Sequence, residues 1–148
     1  MMTTNAPSLG LNAQIDKPCK ILLVDDYEAN LMIAGMYLDS FGLPHDIARS
    51  GFEALDKVGQ YQYGAILMDI HMPDMDGLET TRRIREMEIL SGRSHQPVIA
   101  LTAHPYAGNS MDCQAAGMNW YIVKPFNPDE LRNILLQYVE PGLLTSEA

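Results

Sequence analysis

Five side chains far apart along the chain have the types needed to act together on one charged group: Asp25, Asp26, Asp69, Thr102 and Lys124. Each closes a short aliphatic run. "ILLV" stops at the aspartate pair, "AILM" at Asp69, "VIAL" at Thr102 and "YIV" at Lys124. If these runs are parallel strands, the five residues share the carboxyl edge of one sheet, where open parallel sheets bind their ligands. Carboxylates crowded there raise one another's pKa values and take up protons, at a cost of about 1.4 kcal/mol per unit shifted. A hard divalent cation cancels that repulsion. Magnesium (Mg2+), with manganese (Mn2+) as its nearest substitute, takes one or two carboxylates and a carbonyl and keeps waters that a phosphate oxygen can replace, which suits an open acidic cleft. Lys124 and Thr102, a compact cation and a neutral donor, then match the remaining oxygens of a phosphoryl group.

The elements that must position these residues are legible as alternating texture. "CKILLVDD", "YGAILMD", "PVIALTA" and "WYIVKP" read as strands covered on both faces, and "PHDIA" as a weaker one. Between them lie helix signals. Ser50 with Glu53 and Asp76 with Glu79 have capping-box spacing, and Asn127 precedes Pro128 with Glu130 three residues on. Leu131, Ile134, Leu135 and Tyr138 then form one apolar face. A helix from about Tyr27 to Phe41 should stop at Gly42 in a left-handed cap. The fourth helix, in "PYAGNSMDCQAAG", is expected to be short or irregular because Pro105, Gly108 and Asn109 disfavour its start. "EMEILSGRSHQPV" lengthens the third helix or its following loop. Strand and helix thus alternate five times, the pattern of an α/β doubly wound five-stranded parallel sheet with five helices.

The bulk properties narrow the class. A length of 148 residues holds one domain, read as a flexible leader over 1–17, a folded unit over 18–140 and a tail over 141–148. A net charge of −9 without a basic stripe argues against a nucleic-acid surface. The two cysteines, Cys19 and Cys113, have neither disulfide-framework nor zinc spacing, which fits a reducing compartment. With no signal-like leader and no run of roughly 18 apolar residues, the expectation is a cytoplasmic protein away from the membrane.

"ILLVDD", "ILMDIHMPDMDG", "IALTA" and "YIVKPF" resemble, in order and separation, the signature segments of the response regulator receiver domain of two-component systems. The resemblance covers roughly residues 18 to 140. "LMDIHMPDMDGLETTRRIR" is similar in particular to receivers attached to hybrid histidine kinases. It implies a flavodoxin-like fold of strand order 2-1-3-4-5. It further implies that Asp69 accepts a phosphoryl group from a phosphohistidine donor, either a histidine kinase or a histidine phosphotransfer protein. Asp26, Asp69 and the backbone carbonyl of His71 would ligate magnesium directly, and Asp25 through a water. Lys124, followed by a cis peptide to Pro125, would pair with the phosphoryl group. Thr102 and Tyr121 would switch the surface made by the fourth helix, fifth strand and fifth helix. His71 and His104, two positions beyond Asp69 and Thr102, would tune phosphoryl lifetime. Such a chain is a switch that catalyses only its own phosphorylation and dephosphorylation, a monomer or weak dimer, standing alone or as part of a larger hybrid kinase. With no DNA-binding segment after Tyr138, its output would be protein contact or phosphorelay.

Plainer readings stand beside these. Paired aspartates at a strand end also favour a helix N-terminus, Thr102 is a common strand residue, and the four histidines lack metal-site spacing. Trp120 reads as an exposed or partner-facing aromatic, the ten methionines as gap-fillers, and Arg82, Arg83 and Arg85 as a solvated helix face. One alternative is a phosphorylation-independent interaction module. Another is an aspartyl-phosphate phosphatase of the haloacid dehalogenase type, whose DxD pair is absent because position 27 is Tyr27.

Overall fold

The computed structural model describes residues 19–103 and 109–139. Five strands, β1 (Ile21–Val24), β2 (His45–Ala48), β3 (Ala65–Asp69), β4 (Val98–Thr102) and β5 (Trp120–Val123), alternate with five helices. The helices are α1 (Glu28–Phe41), α2 (Gly51–Gln60), α3 (Gly77–Ser91), α4 (Asn109–Ala116) and α5 (Pro128–Leu135). The expected leader and tail, together with His104, Pro105 and Gly108, lie outside the described residues. All neighbouring strands are parallel, in the order β2-β1-β3-β4-β5.

The unbroken aliphatic runs follow from this sandwich. Successive strand residues face opposite sides, and here both sides are covered. Ile21, Leu23, Ala65 and Leu67 pack with α1 and α5 through Leu31, Leu38, Leu131 and Leu135. Leu22, Val24, Ile66 and Met68 pack with Ala54 and Val58 of α2 and Ile84 of α3. Either parity therefore needs an apolar side chain. β5 departs from the expectation of two covered faces. As an edge strand it leaves Trp120 and Tyr121 exposed and buries Ile122 fully, and aromatic residues with a polar tip tolerate such half-wet positions.

The caps form where their spacing predicts. Side chains of Ser50, Asp76 and Asn127 accept the backbone N–H of Glu53, Glu79 and Glu130, each satisfying a donor the helix leaves open. The carboxylate of Glu79, however, does not return to its cap but pairs with Arg82 and Arg83. Gly42 closes α1 with φ 77°. α3 extends to Ser91, and the described α4 spans eight residues.

Arg85 corrects the solvated-face reading of α3. Arg82 and Arg83 are exposed, whereas Arg85 turns inward and donates to the Gly117 carbonyl, to Asn119 Oδ1 and to both oxygens of Glu88. Glu88, itself 5% exposed, also accepts the backbone and side-chain N–H groups of Gln96. Arg85 and Glu88, i and i+3 on α3, adjoin the face marked by buried Ile84, so this corner of the helix meets the α4–β5 turn. No described helix is long and apolar enough to cross a membrane.

Candidate functional site

The site is set by where the sheet changes direction. From β1 the chain crosses outward to β2, then returns past β1 to β3 and continues to β4 and β5, leaving a crevice at the carboxyl ends of β1 and β3. The register fills it. Val24 pairs with Met68, so Asp25 arrives level with Asp69; Asp69 pairs with Leu101, so Thr102 lies one residue beyond; Thr102 pairs with Val123, so Lys124 follows one further. The strand ends thus rise as a staircase around Asp69.

Lys124 Nζ donates to Asp25 Oδ2 and to Asp69 Oδ1, both at 3.1 Å. Carboxylate oxygens of Asp25, Asp26 and Asp69 lie within 4.8 Å of one another. The burial of the three differs: Asp25 and Asp69 are 3% and 6% exposed, while Asp26 faces solvent. Asp25 is further held by the Tyr27 N–H on Oδ1 at 3.0 Å and by Asn30 Nδ2 on Oδ2 at 3.1 Å. Burial, and next the charge of Asp25, push the Asp69 carboxyl up to about 6, against the opposing pull of Lys124. The group is therefore poised between protonation states near neutral pH and gains from any added positive charge.

The backbone behind Asp69 is tightly set. The Gly77 N–H donates to the Ile70 carbonyl at 2.8 Å, and a Cβ on Gly77 would sit 2.3 Å from the Asp69 carbonyl oxygen. Only glycine lets α3 begin so close to the end of β3. On the other side the Lys124 N–H donates to the Thr102 carbonyl at 2.7 Å, and the Lys124–Pro125 peptide is cis, as expected.

Of the residues singled out from sequence, Asp25, Asp26, Asp69 and Lys124 meet directly, and Thr102 is fully buried at the end of the adjoining strand. Tyr121 stands partly exposed on β5, and His71 is exposed two residues beyond Asp69. Among the other described histidines, His95 is exposed, and His45 packs against α1 at Gly35. Sequence reasoning missed Asn30 and Gly77. Asn30 carried a signal, as a lone amide in the otherwise apolar "NLMIAGMYL" five residues after Asp25. Three clustered carboxylates, one open to solvent, with an ammonium beside them, fit a hard cation and a phosphoryl oxygen.

The family model described as the response regulator receiver domain matches residues 21–136. The chain is 40% identical over 125 residues to the signal transduction histidine-protein kinase BarA of Escherichia coli strain K12, covering 82% of this chain and 13% of that one. It is 36% identical over 150 residues to probable histidine kinase 1 of Oryza sativa subsp. indica, covering 82% of this chain and 16% of that one. The chain thus spans only a small part of these relatives' length. Among solved structures, it resembles the receiver domain of sensor histidine kinase PA1611 from Pseudomonas aeruginosa, which has a magnesium ion coordinated in its active-site cleft. That match has a TM-score of 0.72 and 35% identity, and covers 82% of this chain and 97% of the other. A second match lies in the Saccharomyces cerevisiae co-crystal of the histidine phosphotransfer protein Ypd1 with the receiver domain of Ssk1, at TM-score 0.77 and 25% identity, covering 82% and 89%. Carrying the sheet order, the acidic crevice and the family's pattern across most of its length, this chain belongs to the response regulator receiver domains of two-component signalling.

Proposed function

We propose that this receiver domain accepts a phosphoryl group on Asp69 from a phosphohistidine donor, a histidine kinase or a histidine phosphotransfer protein. The observation that carries the reading is the single ammonium of Lys124 shared by Asp25 and Asp69 beside an open acidic cleft. An Asp69 carboxylate oxygen forms the bond to phosphorus as the donor's N–P bond breaks, and the electron pair leaves with the imidazole nitrogen, which is then protonated. Bound magnesium supplies positive charge to the carboxylates and to the equatorial oxygens of the transferring group. Asp26, Asp69 and the His71 carbonyl would hold it directly. Asp25 already accepts from Tyr27, Asn30 and Lys124, which suits it to act through a water, whereas Asp26 faces solvent.

Lys124 and Thr102 would bind the phosphoryl oxygens. Thr102 would then carry the change to the α4–β5–α5 surface, with Tyr121 turning in behind it, because a phosphate adds nearly two negative charges at one end of packed elements. The Ypd1–Ssk1 co-crystal supports the partner class, and the PA1611 receiver supports the metal. A strip of α1 beside the cleft, Met32, Ile33 and Met36, is 62%, 49% and 66% exposed, which favours a protein donor that can cover it. His71 would adjust phosphoryl lifetime, and unchanged decay in His71→Ala would remove that role. The transfer itself is tested by mixing the chain with a radiolabelled, phosphorylated histidine phosphotransfer protein. Label should move to the chain with Mg2+ and stay on the donor after chelation or in Asp69→Asn; label retained by the donor with Mg2+ present would refute the reading.

A further inference from the structure

Asp25 is almost completely buried, and two side-chain donors converge on one of its oxygens: Asn30 Nδ2 and Lys124 Nζ both reach Oδ2 at 3.1 Å. Because a carboxylate only accepts, the amide of Asn30 must present its NH2 group there. The two donors differ in what phosphotransfer asks of them. Lys124 stands equally close to Asp69, and its charge is needed wherever the new phosphoryl oxygens appear. Asp25, Asn30 and Lys124 line a common cleft of about 450 Å³, which gives the ammonium room to turn. Asn30 shares the cleft but hangs by a much shorter side chain from a fixed backbone. It sits in the first turn of α1, whose neighbouring Leu31 and Ala34 are locked in the core.

A buried carboxylate that loses its cation with nothing in its place is strongly disfavoured. We infer that Asn30 is a positioning residue that holds Asp25 in place, so that Lys124 can move its charge from the carboxylate pair to the phosphoryl group. This rests on Asp69 being the phosphoacceptor and adds a division of labour between a donor that moves and one that stays.

The test uses Asn30→Leu, which keeps size and does not lower helix propensity but removes the donor, and Asn30→Asp, which keeps shape and reverses the polarity. Each is made in the wild-type and Asp25→Asn backgrounds. Phosphorylation by acetyl phosphate is followed at saturating Mg2+, and Mg2+ affinity of the unphosphorylated protein is measured by calorimetry. Asn30→Leu should slow phosphorylation about tenfold, equivalent to about 1.4 kcal/mol, with Mg2+ affinity changed less than about threefold. Asn30→Asp should slow it further. Because Asn30 acts through Asp25, the loss should shrink to less than about twofold in the Asp25→Asn background. Wild-type rates in both variants, or the same loss with Asp25→Asn, would overturn the inference while leaving the phosphoacceptor reading intact. A wild-type chain that takes no phosphoryl group would overturn both.

Discussion

Lys124 Nζ lies 3.1 Å from Asp69 Oδ1, a contact that joins residues 55 positions apart in the chain. The same nitrogen is equally close to Asp25. One cation therefore serves two buried carboxylates, and the site remains short of positive charge.

Removing the cation should move metal binding and phosphorylation in opposite senses. Lys124 is the group that pulls the Asp69 carboxyl down against burial and Asp25. In Lys124→Ala its pKa should rise above about 6, followed by carboxyl NMR. Above about pH 7, loss of a repelling charge should tighten Mg2+ binding about three- to tenfold, while phosphorylation slows sharply because no ammonium meets the transferring oxygens.

Stability should fall with pH in the metal-free protein. The folded-state pKa of Asp69 is raised from 3.8 to about 6. Between those values the native state keeps a proton that the unfolded chain has lost, so stability declines as pH rises through that window. Allowing for screening, the loss is about 1–2 kcal/mol. Urea unfolding across pH should show this decline in the wild type and a flatter profile in Asp69→Asn, which is also the more stable at neutral pH. Added Mg2+ should restore wild-type stability there.

Gly77→Ala should damage fold and site together. Its Cβ would meet the Asp69 carbonyl oxygen at 2.3 Å and Ile70 Cα at 2.9 Å, and backbone cannot yield as a side-chain tip can. A destabilisation of about 2–4 kcal/mol is expected from denaturant unfolding, with slower phosphorylation of whatever remains folded.

Arg85→Ala should cost more than an exposed arginine would. It leaves the buried Glu88 carboxylate without its cation and strips donors from Gly117 and Asn119. About 3 kcal/mol of stability should be lost, against less than about 0.5 kcal/mol for Arg82→Ala, read from the same unfolding curves.

The contrast between these two arginines shows where sequence reasoning ends. Strands β1, β3 and β4 were legible because two covered faces demand unbroken aliphatic runs, and the residues at or just beyond their ends named most of the crevice. Ser50, Asp76 and Asn127 marked helix starts because a cap is a local hydrogen bond. Arg85 was not legible, since its partners Gly117 and Asn119 come from a turn more than thirty residues away. Nor could adjacency reveal that Asp25 is buried and Asp26 open; that split depends on how α1 leaves β1, with Tyr27 and Asn30 folding back over Asp25. Trp120, read from the sequence as an exposed or partner-facing aromatic, is indeed exposed on β5, an edge strand.

Intact-mass measurement after incubation with Mg2+ and a small phosphodonor tests the central claim most directly. Wild-type protein should gain the mass of a single phosphoryl group, lost on mild alkaline treatment, and Asp69→Asn should gain none. An unmodified wild type, or an equal adduct on Asp69→Asn, would contradict the assignment of Asp69 as the phosphoacceptor.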